Sequence, residues 1–202
     1  MQKSKFRYFI LHKPTGMESQ FVSPYESDLL GDIDFDFPEG THAIGRLDKN
    51  SEGLLLLTTN KKITALLFQS KLPHKRIYLV QVKFKMNEES LKKLQEGVSI
   101  RIKGGGFYTT PPCQVEIIEN PENIFLMPQN FHPYMDTTWI LITLTEGKFR
   151  QVRKMVTAVR HRCLRLIRIA IENIQLEDLK PGEVKEIEED DFFELLNLGD
   201  EK

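Results

Sequence analysis

Cysteine is scarce in this chain: among 202 residues only Cys113 and Cys163 occur, far apart and without a CxxC partner. A disulfide framework and a cysteine zinc site are therefore excluded, and both residues read as buried thiols. Long apolar runs are also missing. Nothing approaches the ~20 consecutive residues that a membrane helix needs, and the start, MQKSKFRYFILHKP, has no apolar stretch leading to a cleavage site, so the expectation is a cytoplasmic protein with no membrane partner.

Several familiar motifs fail at one residue. Gly104-Gly105-Gly106 is not followed by the GK[ST] of a phosphate-binding loop, and Lys49-Asn50-Ser51-Glu52-Gly53 lacks the first glycine of a nucleophile elbow. Asp32, Asp34 and Asp36 alternate like a calcium loop, but Phe37 stands where that loop needs Gly and Ala43 where it needs Glu. Asp34-Phe35-Asp36 has no apolar strand before it and Pro38 just after, unlike an aspartyl phosphotransferase site. His12, His42, His74, His132 and His161 lack ligand spacing and read as surface or loop residues. No metal is expected.

What is present is unevenly spread charge. The formal net charge is -1, yet residues 148 to 168 hold eight Lys or Arg and no acid, while residues 172 to 202 hold twelve acids against three lysines. Such separation suggests one positive surface suited to RNA or phosphate. The bland alternative is a solvated helix face.

Hydrophobic periodicity predicts strands over 6–11, 54–57, 76–85, 114–118, 137–144 and 164–174, with Tyr78, Val80, Val82 and Phe84 sharing a face of the third. Helices are predicted over 61–70, from an Asn87 cap to Gln95 with Gly97 beyond, over 149–159, and over 188–198 with acids in the first turn. Residues 19–40 read as irregular and acidic, and a Pro- and Asn-rich loop is expected to run to about Asp136. Strands are not regularly separated by crossover helices, so the expected class is α+β with a mixed, largely antiparallel sheet, in one compact unit of one or two lobes.

One stretch carries chemistry. In Gly45-Arg46-Leu47-Asp48-Lys49-Asn50-Ser51-Glu52-Gly53-Leu54-Leu55-Leu56-Leu57-Thr58 a single carboxylate, Asp48, sits in a glycine-framed polar loop just before a buried strand. Taken by residue type and position alone, Asp48 reads first as a turn cap and Tyr78 first as an ordinary core aromatic. Three motifs, however, occur together. GRLDKNSEGLLLLT, Arg76-Ile77-Tyr78-Leu79-Val80-Gln81-Val82 and Thr145-Glu146-Gly147-Lys148-Phe149-Arg150-Gln151-Val152-Arg153-Lys154-Met155, followed by Leu164-Arg165-Leu166-Ile167-Arg168, resemble the RNA pseudouridine synthases of the RsuA/RluB/RluE/RluF family in order and spacing. Weaker similarity covers roughly residues 6 to 188. Arg76 stands where the family usually has Lys, and Arg160-His161-Arg162-Cys163 replaces a Gly-His-Pro turn.

The resemblance is greatest to the RluE-type branch, which acts on large-subunit (23S) ribosomal RNA and lacks an N-terminal S4 domain; in this chain the first catalytic strand, in YFILHKPTG, starts near the N-terminus, and the chain is expected to lack one too. It implies an isomerase of one catalytic domain, two lobes around a cleft, that uses no cofactor and flips its target uridine out of a ribosomal RNA; a monomer is expected. Asp48 would be the catalytic carboxylate, paired with Arg153, and would act by attack at C1', addition at C6 or elimination to a glycal. Tyr78 and Leu166 would line the uracil pocket, and Arg46 would fill the gap the base leaves. Arg76, Lys148, Arg150, Lys154, Arg165 and Arg168 would meet phosphates. Two rivals are an RNA-binding protein of the same fold without catalysis, and an aspartyl hydrolase of small molecules; the retention of Asp48, Tyr78 and Arg153 weighs against the first and the basic segment against the second.

Overall fold

The computed structural model describes residues 5–69, 73–124 and 136–199. Along these the chain forms β1 (Tyr8–Lys13), β2 (His42–Ile44), β3 (Glu52–Thr58), α1 (Ile63–Gln69), β4 (Arg76–Lys83), α2 (Glu88–Glu96), β5 (Ser99–Arg101), β6 (Phe107–Thr109), β7 (Gln114–Ile118), β8 (Thr137–Leu144), α3 (Gln151–Ala158), β9 (Cys163–Ile171), β10 (Ile174–Gln175), β11 (Val184–Ile187) and α4 (Glu189–Leu195). The class is α+β, with strands that pair mostly antiparallel. Two compact units form, one from residues 1–74 and 168–202, the other from 75–167.

In the first unit the strand order is β11-β1-β3-β9, with β2 also on β3 and β10 on β9. Every residue of β1 and β3 is buried, because both faces are covered. A run such as Leu54-Leu55-Leu56-Leu57 can tolerate that, since no position has to meet water. The segment read as irregular and acidic has a core of its own. Phe35 turns inward onto Phe9, and Phe37 onto Phe9 and Phe21, with ring centroids 5.3 to 6.0 Å apart, while Asp32, Asp34 and Asp36 stay exposed. The acids are solvated, as expected, and the aromatics between them pack. Gly53, at φ +103°, lies so close to β9 that a Cβ there would stand 2.8 Å from the Arg168 backbone nitrogen.

In the second unit the order is β9-β4-β8-β7, and β5 pairs β6 in a separate hairpin. Val80 and Val82 of β4, Ile140 and Ile142 of β8, and Val152, Met155 and Val156 of α3 share one core with Leu166. Helix α2 starts as its sequence dictates: the Asn87 side chain accepts from Ser90 N–H at 2.8 Å, and Gly97 takes φ +101° beyond the last turn.

Some elements differ from expectation. β4 stops at Lys83, because Phe84 adopts φ 70° and its N–H donates to Asp136 O at 2.7 Å, leaving the ring 54% exposed rather than in line with Val82. The strand expected over 164–174 breaks at Glu172, whose φ of 48° turns the chain back into β10. β2, β5, β6, β10 and β11 are too short or too polar to show periodicity. Most of the loop expected before Asp136, with His132, lies outside the described residues.

Candidate active site

In the first unit β2 ends at Ile44, the chain turns through Gly45 at φ 72°, and β3 begins at Glu52. Between them Arg46 is exposed, Leu47 is buried as an anchor, and Asp48 is half-buried. Asp48 O accepts from Ser51 N–H at 2.9 Å, closing a tight turn that sets the carboxylate at the mouth of the strand. The glycine-framed loop is thus a rigid mount for one acid.

Close behind it lies a buried lysine that sequence reasoning missed. Lys13 ends β1 with no exposure, and its Nζ donates to Pro14 O at 2.8 Å and Met17 O at 2.7 Å. Burial pushes its ammonium down to about 8, the Glu52 and Asp48 carboxylates oppose that fall, and Arg168 adds to it. Lys13, Glu52, Asp48 and Arg168 therefore form one electrostatic group, with Glu52 itself 6% exposed. His12-Lys13-Pro14-Thr15-Gly16 looks like plain turn chemistry; the available signal was a lysine directly continuing an apolar strand.

In the second unit Tyr78 on β4 packs half-buried against the core that includes Leu166, so these two members of the expected uracil pocket share a neighbourhood. Arg153 on α3 is 9% exposed, and its Nη1 meets Cys163 Sγ at 3.5 Å. The start of α3 is built by side chains. Glu146 accepts from Tyr108 O–H and from Gln151 Nε2, each at 2.6 Å, and Gln151 Oε1 accepts from Lys148 N–H at 2.8 Å. Arg150 then enters the helix in the left-handed region at φ 54°. Lys148 Nζ stands 4.9 Å from the Tyr108 ring and Lys154 Nζ 5.3 Å from the Phe149 ring, which pre-orders both cations. Lys148 is exposed, and Arg150, Lys154 and Arg165 are half-buried.

Two basic residues depart from the phosphate reading. Arg168 is 4% exposed and its Nε donates to Leu54 O at 2.7 Å, so its charge serves the interior of the first unit. Arg76, the first residue of β4, is 7% exposed, which is at odds with a surface phosphate contact. A strand residue whose face is covered points inward whatever its type. Of the histidines, expected as surface or loop residues, His12 instead lies in β1, while His74 and His161 lie between elements as expected but out of solvent. His12, His74 and His161 are buried, with His12 Nδ1 2.6 Å from Leu179 O, His161 Nδ1 2.9 Å from Lys83 O, and His74 Nδ1 3.6 Å from Glu172. Cys113 and Cys163 are half-buried, and burial pushes the Cys113 thiol up.

The family model for RNA pseudouridylate synthases matches residues 7–158, and the chain belongs to that family of isomerases. It is 38% identical over 182 residues to the ribosomal large subunit pseudouridine synthase E of Vibrio vulnificus, covering 90% of this chain and 75% of that protein. To the synthase of the same name from Xanthomonas axonopodis pv. citri it is 32% identical, over 85% of this chain and 89% of that one. A crystal structure of a pseudouridylate synthase shares the fold with a TM-score of 0.76 at 24% identity, over 96% of this chain and 76% of that one. Among the described residues, no helix is long and apolar enough to cross a membrane.

Proposed function

We propose that this synthase isomerises a specific uridine of large-subunit ribosomal RNA, with Asp48 as the catalytic carboxylate. The observation that carries the reading is the half-buried Asp48 on its closed turn, in a chain similar along most of its length to relatives named for that substrate. Isomerisation breaks the bond from N1 to C1', turns the uracil and joins C5 to C1', so electrons balance within the nucleotide and no redox partner is needed. Tyr78 and Leu166 offer a ring and an apolar surface to the base, and Arg153 is assigned to hold the carboxylate ionised. Arg46, exposed on the same loop as Asp48, is assigned to fill the stack once the uridine has swung out. Lys148, Arg150, Lys154 and Arg165 are assigned to phosphates. The enzyme is proposed to act as a monomer in the cytoplasm, from one catalytic domain, without metal or cofactor.

Mapping pseudouridines in ribosomal RNA from cells with and without the gene tests the substrate; one site must vanish on deletion and return with the wild-type gene. Asp48→Asn must not restore it, and should bind the target RNA within a few-fold of wild type. Turnover by Asp48→Asn would refute the role of that carboxylate. Activity unchanged after exhaustive chelation is expected, and its loss would refute the metal-free reading.

A further inference from the structure

We propose that Ser19 is a positioning residue for the Asp48 carboxylate; this rests on the reading of Asp48 as the catalytic group. Ser19 lies outside every motif discussed so far, in the segment that follows β1. It is 7% exposed, and its Oγ donates to Leu47 O at 2.9 Å while accepting from Leu47 N–H at 3.0 Å. One hydroxyl thus serves both backbone groups of the residue immediately before Asp48, as a neighbouring strand would. Leu47 is itself 7% exposed, so water is a poor substitute for either bond.

The residue on the other side of Asp48 is tied to the same segment. Gly16 N–H donates to Lys49 O at 2.7 Å from a backbone at φ +90°, and Lys13 Nζ braces the intervening turn through Pro14 O and Met17 O. The segment is fixed in turn from behind, with Glu18 N–H donating to Asp28 O at 2.9 Å and Leu30 N–H to Gln20 O at 3.0 Å. The residues on either side of Asp48, Leu47 and Lys49, are therefore both held by residues 16–19. The turn's own bond from Ser51 closes the loop but does not orient it against the rest of the unit. Ser19 and Gly16 do that, and Ser19 does it through a side chain that can be replaced while the main-chain hydrogen bonds of residues 16–20 are kept.

The test compares Ser19→Ala, Ser19→Thr and Asp48→Asn in the full chain, on an RNA the wild type modifies. Ser19→Ala is expected to lower kcat by about 10-fold or more, since small misplacements of a reacting group cost rates of that order, while KM and RNA affinity stay within about two-fold. Ser19→Thr, which keeps the hydroxyl, should recover most of the rate. Wild-type kcat in Ser19→Ala would overturn the proposal, and so would equal slowing of the Ala and Thr variants, because packing rather than the hydroxyl would then be at work. If Ser19→Ala does not fold, Ser19→Cys substitutes for it: a weak thiol donor should leave kcat low, and a wild-type rate would overturn the idea. Asp48→Asn separates the two readings. Turnover by that variant refutes the role of Asp48 itself, whereas an inactive Asp48→Asn beside a fully active Ser19→Ala refutes only Ser19.

Discussion

At the scale of single residues, the buried Lys13 has a measurable signature. Its folded-state value near 8 lies below the ordinary 10.5. Below pH 8 the ammonium is charged in both states and its burial opposes folding. Between about 8 and 10.5 the folded chain has released a proton that the unfolded chain still holds, so unfolding takes one up and stability rises with pH. Tyr8, whose phenol is raised above 10.0 chiefly by burial, works in the opposite sense at the top of that window, because the unfolded chain ionises first. Cys113, raised above 9.0 by burial, also works in that opposite sense, so denaturant titrations should show stability climbing from pH 8 to about 9 and less steeply beyond. Lys13→Met should flatten that climb, and an identical slope in the variant would contradict the assignment. Arg153 permits a second prediction. A guanidinium presents a planar fork that an ammonium cannot, so Arg153→Lys is expected to lower kcat by roughly 10-fold or more with little loss of RNA affinity.

At the scale of elements, the contact between β3 and β9 depends on one missing side chain. A Cβ at Gly53 would run into the Arg168 backbone, which is no flexible side-chain end, and φ +103° is strained for any other residue. Gly53→Ala should cost about 3 kcal/mol or more in urea unfolding. Asn87→Ala at the start of α2 removes only one cap, and about 1 kcal/mol is expected. Each element was legible to the extent that its own residues determined it. Asn87 and Gly97 marked α2 in the sequence because capping is a local matter. The Phe9, Phe21, Phe35 and Phe37 cluster was not legible, because its members meet only when residues 19–40 fold over β1.

At the scale of the molecule, charge is what the partner reads. With Arg168 and Arg76 buried, four cations remain as phosphate candidates: Lys148, Arg150, Lys154 and Arg165. Each phosphate contact on duplex RNA contributes about -0.9 to the log-log dependence of affinity on salt, so a slope of about -3.6 is expected, and a flat response would point to a small-molecule substrate. Lys148→Ala should lower the magnitude of that slope by about one while leaving sequence preference intact.

The sequence by itself determined the family, the α+β class and the position of the acid, because the GRLD loop, the Tyr78 strand and the α3 start are contiguous segments whose chemistry is written residue by residue. Tertiary structure alone decided which charges stay outside. Arg168 looks like any other basic residue in one dimension, and Lys13 differs only in continuing an apolar strand, yet both lie where desolvation and fixed carbonyls replace water. Burial depends on what the rest of the chain brings over a residue, and that information is carried by no single stretch of sequence.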